Sequence, residues 1–153
     1  MDKTNVSAKE MQEGFQNAAE VVKAIGVVLH VLNLNDVVFD RETHQATIYE
    51  DRTFWLLLGM APPFEMGGDG VPSVTLILAV RQEDRPVDKR GQDHLSVSYN
   101  PSGWQIEWSR TGGTDHLESL LLQLGMQESG SETNVSFARV EDVITQMGRR
   151  IMN

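Results

Sequence analysis

The clearest pattern along the chain is a strict alternation of apolar and polar residues on either side of a turn. The turn is Asn100-Pro101-Ser102-Gly103, and the residue types fit a type I β-turn. The alternating apolar residues are Leu95, Val97, Tyr99, Trp104, Ile106 and Trp108. A period of two predicts a β-hairpin with one apolar face, on which the tryptophans form part of the core wall. The other face, with Ser96, Ser98, Gln105 and Glu107, is the one that solvent or a partner would meet.

A different period predicts a helix near the N-terminus. Ser7 and Glu10 form a capping box, and apolar residues then recur at spacings of three and four: Met11, Phe15, Ala18, Val22 and Ile25. Gly26 suits a left-handed helix cap, and the β-branched run from Val27 to Leu32 favours a strand after it. The helical spacing nevertheless continues through Leu29 and Leu32, so a longer helix to about Asn33 is the alternative.

The middle of the chain predicts short strands separated by turns. Val37–Asp40 and Gln45–Tyr49 flank a polar stretch and read as a hairpin. Thr53–Leu58 is an unbroken apolar run, which indicates a strand buried on both faces. Ser73–Arg81 is similar and is expected near the centre of the sheet.

The C-terminal third returns to helical spacing. It predicts a helix from about His116 to Leu124 that ends at Gly125, a short strand at Asn134–Ala138, and a last amphipathic helix from about Val140 to Ile151. We therefore expect residues 1–153 to form a single α+β domain, with an antiparallel sheet of about five to seven strands, an N-terminal helix and two C-terminal helices. This order resembles that of small acidic secretion chaperones in architecture alone, since no motif carries the resemblance.

Charge and composition narrow the classes of partner. The formal net charge is −9 and the basic residues are scattered, so we expect no nucleic-acid partner. Acidity would instead steer the chain toward a basic protein, or it serves solubility alone. Cysteine is absent, which excludes disulfides and thiolate metal sites. No apolar run reaches the ~20 residues of a membrane helix and no signal-peptide pattern opens the chain, so we expect no membrane partner and a cytoplasmic location.

The search for chemistry yields no catalytic motif. Gly67-Gly68-Asp69-Gly70 lacks the Lys-Ser/Thr ending of a phosphate-binding loop and reads as a flexible connection. The histidines lie near carboxylates without the helical spacing of metal ligands. We expect no catalytic residue, no metal and no cofactor. If the chain is an enzyme after all, Asp93, His94 and Glu107 are the first residues to test.

A long segment between two apolar strands is the favoured partner-binding site. From Gly59 to Pro72 it combines glycines and prolines with adaptable apolar side chains. The candidate partner-binding residues are Met60, Pro63, Phe64, Met66 and Asp69. The alternative is that Phe64 folds back over the sheet as a plug.

Together these observations favour a non-catalytic protein-binding function. The chain would be a small acidic inhibitor, an immunity or anti-defence protein, or a chaperone-like adaptor, acting on another protein. Its acidity favours a basic partner, and a homodimer is an alternative. One alternative is a small-ligand-binding protein or enzyme whose site lies under the 59–72 loop. The other is a structural subunit of a phage or secretion assembly.

Overall fold

A computed structural model of the protein describes residues 5–7, 19–40, 42–61, 73–80, 93–100, 102–109, 117–127 and 129–152. In chain order the elements are β1 (Asn5–Ser7), α1 (Ala19–Val31), β2 (Val38–Asp40), β3 (Gln45–Glu50), β4 (Phe54–Ala61), β5 (Ser73–Val80), β6 (His94–Asn100), β7 (Gly103–Ser109), α2 (Glu118–Gln123), β8 (Gly130–Thr133) and α3 (Phe137–Met152).

Six of the strands, β3 to β8, form one antiparallel sheet in which each strand pairs with the next along the chain. In chain order α1 comes before β3 to β7, and α2 comes after them. Strand β8, the last of the sheet, lies between α2 and α3. Strands and helices are thus largely segregated along the chain. The predicted α+β fold is confirmed, with a strand number inside the expected range.

The hairpin β6–β7 forms in the register that its alternation predicts. Leu95 pairs with Trp108, and Tyr99 pairs with Trp104. Gly103 closes the turn with φ of 119°, a conformation that favours glycine, and the Ser102 backbone N–H donates to Asn100 Oδ1 over 2.7 Å. The Tyr99 and Trp104 rings lie 4.9 Å apart at 58°, a tilted aromatic pair.

One face of the sheet carries the main core, because the alternating apolar residues of β4 to β7 all point to the side where the helices pack. Their side chains are joined there by Ile25 and Val28 of α1 and by Val143 and Ile144 of α3. The strand residues of this face are Leu56, Leu58, Leu76, Leu78, Leu95, Val97 and Ile106. Each is buried almost completely, and burying a side chain of this size contributes about 1.5–3 kcal/mol.

The first helix ends later in the chain than the favoured interpretation of the sequence expected. Gly26 lies inside α1, and the helix continues to Val31, so the favoured strand at Val27–Leu32 is wrong and the longer helix is right. Val28, on the covered face of α1, contacts the core, and this burial outweighs its preference for strands. The cap falls on Asn33, whose φ is 59°. The Leu34 N–H donates to Leu29 O and the Asn33 N–H donates to His30 O, as in a Schellman motif.

Strand β2 forms where a strand was expected, but it pairs with a different strand. It pairs with β1, with Phe39 opposite Val6, so the predicted hairpin with Gln45–Tyr49 is wrong at the level of strand pairing. The chain turns directly after β2, where Asp40 Oδ1 accepts from the backbone N–H of Glu42 and of Thr43. Strand β3 instead pairs with β4. Ser7 ends β1, and Glu10, its expected capping-box partner, lies outside the described residues.

The last strand of the sheet also differs from its expected position. It is β8, four residues before the expected strand at Asn134–Ala138. Asn134 has φ of 54° and breaks the extended conformation, and α3 begins at Phe137. Arg139 contacts β8 from α3, because its guanidinium donates to the Glu132 carboxylate at 3.4 Å and to Leu124 O at 2.8 Å.

The C-terminal helices otherwise match their pattern. Gly125, with φ of 77°, ends α2, and its N–H donates to Leu122 O. Arg149 and Arg150 lie in the last turn of α3, where positive charge is favourable. Within the described ranges, no helix has the length and apolar content needed to cross a bilayer.

Candidate functional site

The second face of the sheet, on which none of the described helices packs, carries two rows of mostly short polar side chains. Strand register sets the rows, because residues paired across antiparallel strands lie side by side. One row runs across β5 to β8 through Ile77, Ser96, Glu107 and Ser131, and the next runs through Thr75, Ser98, Gln105 and Thr133. Neighbouring strands are about 4.8 Å apart and the rows are about 7 Å apart. We call the seven polar residues of these two rows, together with His94, the polar face.

A depression of about 510 Å³ lies over the polar face, and it is lined by the residues of that face together with Ile77 and Ile106. Hydroxyl groups dominate the lining. They come from Thr75, Ser96, Ser98, Ser131 and Thr133. Each can both donate and accept a hydrogen bond, and such short side chains lose little conformational entropy when a partner binds. The depression is therefore suited to polar recognition.

Among the described residues that line the depression, His94 and Glu107 are the ionisable ones, and they contact each other. His94 Nε2 lies 3.5 Å from Glu107 Oε1, with the two residues on adjacent strands. The His94 side chain is 16% exposed and that of Glu107 is 68% exposed, so the carboxylate is the group that a partner would meet. Ser96 Oγ donates to Glu107 O at 3.4 Å, which links the same two strands.

The trio considered for an enzyme is brought together only in part. His94 and Glu107 meet, as the alternation of the hairpin predicts. Asp93 is fully buried, its carbonyl accepts from the Val80 N–H at 2.9 Å, and it does not line the depression. Among the described residues no group of three histidine or carboxylate side chains is placed to hold a metal ion. The pair alone supplies two ligands, where a catalytic zinc site takes three from the protein.

An apolar strip borders the polar face on the side of β4. Leu57, Ile77 and Ala79 form a small buried cluster, and Trp55 packs against it half-buried. The indole N–H of Trp55 donates to Thr47 Oγ1 at 3.3 Å. The second face is therefore apolar at Leu57, Ile77 and Ala79 and polar at Thr75 and along β6 to β8.

The residues that the sequence predicted to bind a partner are not among those of the polar face. Met60 lies in β4 and is only 8% exposed, within the main core, so its assignment to an exposed loop is wrong. The strand runs three residues further than its apolar pattern indicated, because Gly59, Met60 and Ala61 pair with Thr75, Val74 and Ser73. Pro63, Phe64, Met66 and Asp69 lie outside the described residues.

Half of the polar face could be read from the sequence. Ser96, Ser98, Gln105 and Glu107 were found from the alternation of the hairpin. Ser131 and Thr133 were missed because β8 has no large apolar residue to mark a strand, as its sequence Gly-Ser-Glu-Thr makes plain. The only available signal was Gly130, against which the Trp108 ring packs so closely that a Cβ would lie 2.8 Å from Cζ2.

No family model, curated protein or solved structure matches this chain. The polar face is therefore the basis for the proposed function.

Proposed function

We propose that this chain is a non-catalytic protein-binding protein and that its partner binds on the polar face. The observation that carries the proposal is the pair of polar rows on a face where none of the described helices packs. Small-molecule sites are lined mostly by apolar and aromatic side chains, whereas this depression is lined mostly by hydroxyl, amide and charged groups. A polar segment of a partner protein is the better match.

The charge of the face favours a basic partner. Glu107 is the exposed carboxylate of the depression, and the chain has a formal net charge of −9. Complementary charge raises the rate of encounter and selects among partners. An adaptor or inhibitor that captures a basic protein is the role that these features support.

The proposal is tested by affinity capture from the native host with two variants of the polar face. Ser98→Arg places a large cation in the depression, and Glu107→Lys reverses its exposed charge. Each is expected to weaken capture at least about tenfold, which corresponds to 1.4 kcal/mol. Glu141→Lys is the matched control, because it makes the same charge change at an exposed position of α3. Capture by both polar-face variants at the control level would contradict the proposal.

The segment beyond β4 is a further candidate for partner contact. Pro63, Phe64, Met66 and Asp69 remain predicted partner-binding residues on the basis of their composition. Replacing Phe64 and Met66 together by Asp is expected to weaken capture while the unfolding curve stays unchanged. Unchanged capture would remove this segment from the proposed site and leave the polar face as its sole candidate.

A small-ligand-binding protein or enzyme is the second candidate, and the contact between His94 and Glu107 favours it. The depression, at about 510 Å³, also lies within the roughly 300–1,000 Å³ range of small-molecule sites. A thermal-shift screen against metals, nucleotides and metabolites separates the two candidates, because a true ligand raises the melting temperature by mass action. The second candidate predicts a shift that disappears in His94→Ala.

A structural subunit that joins copies through sheet edges gains less support. The two edges of the six-stranded sheet are β3 and β8. Strand β3 is interrupted by a register shift between Thr47 and Tyr49, and β8 has four residues with no large apolar side chain. Bulges and short polar edges both discourage strand addition. Light scattering across a range of concentrations tests this reading and the possible homodimer together.

A further inference from the structure

A second pocket lies at the other side of the molecule, between α1 and the end of the β6–β7 hairpin. Its volume is about 220 Å³, and the described residues that line it are Lys23, Ala24, Val27, Tyr99 and Trp104. Tyr99 and Trp104 belong to the covered face of the sheet and are partly buried against the main core. The pocket is therefore separate from the polar face and shares no lining residue with it.

The pocket arises because α1 presents small side chains to a large aromatic pair. Ala24 is buried opposite the rings, and a methyl group leaves space that a longer side chain would fill. The tilted Tyr99–Trp104 pair supplies aromatic faces and edges to this space. Among the described lining residues, Lys23, which is exposed, is the charged one.

Its size identifies the kind of occupant. At about 220 Å³ the pocket is smaller than the roughly 300–1,000 Å³ of small-molecule sites. It exceeds the roughly 150 Å³ of an engineered cavity that holds benzene. One aromatic ring fits this interval, and buried aromatic anchors are typical of protein interfaces.

We propose that this pocket anchors a single aromatic side chain of a partner protein, next to an acidic residue of the same partner that pairs with Lys23. Like the proposed function, the inference requires a protein partner, but it concerns other residues. Lys23 is exposed at the pocket, and an acidic group of the partner is its charge complement.

The test is an NMR titration of the full chain with the peptide N-acetyl-Phe-Asp-amide. The signals to follow are the Trp104 indole N–H and the backbone amides of Ala24 and Val27. We expect these to move in a saturable way, with weaker binding of N-acetyl-Ala-Asp-amide, which lacks the ring, and of N-acetyl-Phe-Lys-amide, which reverses the charge. No saturable shift at these signals, or equal binding of either control peptide, would overturn the inference.

The contribution of Lys23 is tested by Lys23→Met, which keeps an apolar stem and removes the charge. An exposed ion pair of this kind predicts an affinity for the Phe-Asp peptide about twofold to fivefold lower. Binding of the Phe-Lys peptide should not weaken. Arg149→Met, at an exposed position of α3, is the control and should leave both affinities unchanged. An unchanged affinity of Lys23→Met for the Phe-Asp peptide would overturn the role of Lys23.

The two proposals fail in different ways. If the peptide does not bind while Glu107→Lys still abolishes partner capture, the aromatic anchor is wrong and the polar face stands. If the peptide binds and the polar-face variants capture the partner normally, the aromatic anchor stands and the polar face is wrong.

Discussion

The two faces of the same four strands, β4 to β7, differ in what they contribute to the molecule. In β6, Leu95 and Val97 are buried against the helices, whereas Ser96 and Ser98 between them are half-buried and line the depression. Alternation places these side chains 180° apart, so one strand can serve the core and a binding surface at once. The comparison indicates that stability depends on the covered face and that the polar face is free to serve recognition.

The largest expected difference between the faces is in stability. Leu78→Ala removes a fully buried side chain from the covered face and should lower the free energy of unfolding by about 2–5 kcal/mol. Ser98→Ala on the polar face should change it by no more than about 0.5 kcal/mol. Urea unfolding of both variants measures the difference. Similar losses for the two would show that the polar face is also part of the folded core.

A smaller effect is expected where β8 joins the sheet. A Cβ at Gly130 would lie 2.8 Å from Trp108 Cζ2, so Gly130→Ala should force the indole to shift and lower the free energy of unfolding by about 1–3 kcal/mol. Ser131→Ala, the next residue of β8, is the control. Equal stability of the two variants in urea unfolding would argue that Trp108 does not pack over β8.

In α1, which packs on the face of the sheet that carries the main core, one substitution is expected to stabilise the protein. Gly26 lies within α1, and a Cβ there would meet nothing within 4 Å. Gly26→Ala should therefore raise the free energy of unfolding by about 0.5–1 kcal/mol, because alanine is favoured over glycine inside a helix. Gly125→Ala, where φ is 77°, should instead destabilise. A loss at Gly26 would mean that it caps a helix after all.

The smallest effect is expected at β3, where Tyr49 borders the covered face. Its hydroxyl donates to Asp51 Oδ2 at 2.6 Å, and this hydrogen bond, with desolvation and the negative charge of Asp51, raises the pKa of Tyr49 above its ordinary value of 10.0. The folded state thus favours neutral Tyr49, so this stabilisation is present below pH 10 and is lost as the pH rises through the folded-state pKa. An absorbance titration of tyrosinate should lose a component above pH 10 in Tyr49→Phe. A titration above pH 10 that this substitution leaves unchanged would contradict the raised pKa of Tyr49.

Sequence reasoning succeeded wherever one face of an element is buried. The alternation from Leu95 to Trp108 predicted the hairpin, its register and half of the polar face, since periodicity records burial directly. The apolar run through Leu56 and Leu57 correctly indicated a strand buried on both faces.

It failed where long-range packing decides the outcome. Val27–Leu32 has the composition of a strand, and only contact with the sheet keeps it helical. Strand β8 has no apolar residue, and its place depends on β7, Trp108 and Arg139, which lie elsewhere in the chain. Two of the polar-face residues that were missed, Ser131 and Thr133, lie on that strand.

The central claim, that a protein partner binds on the polar face, is tested most directly by site-specific photo-crosslinking in the native host. A photoreactive residue is placed at Ser98, within the depression, and separately at Leu122, an exposed position of α2. The account predicts one defined protein adduct from Ser98, lost when Glu107→Lys is added, and no such adduct from Leu122. The same adduct from both positions, or an adduct from Leu122 alone, would contradict it.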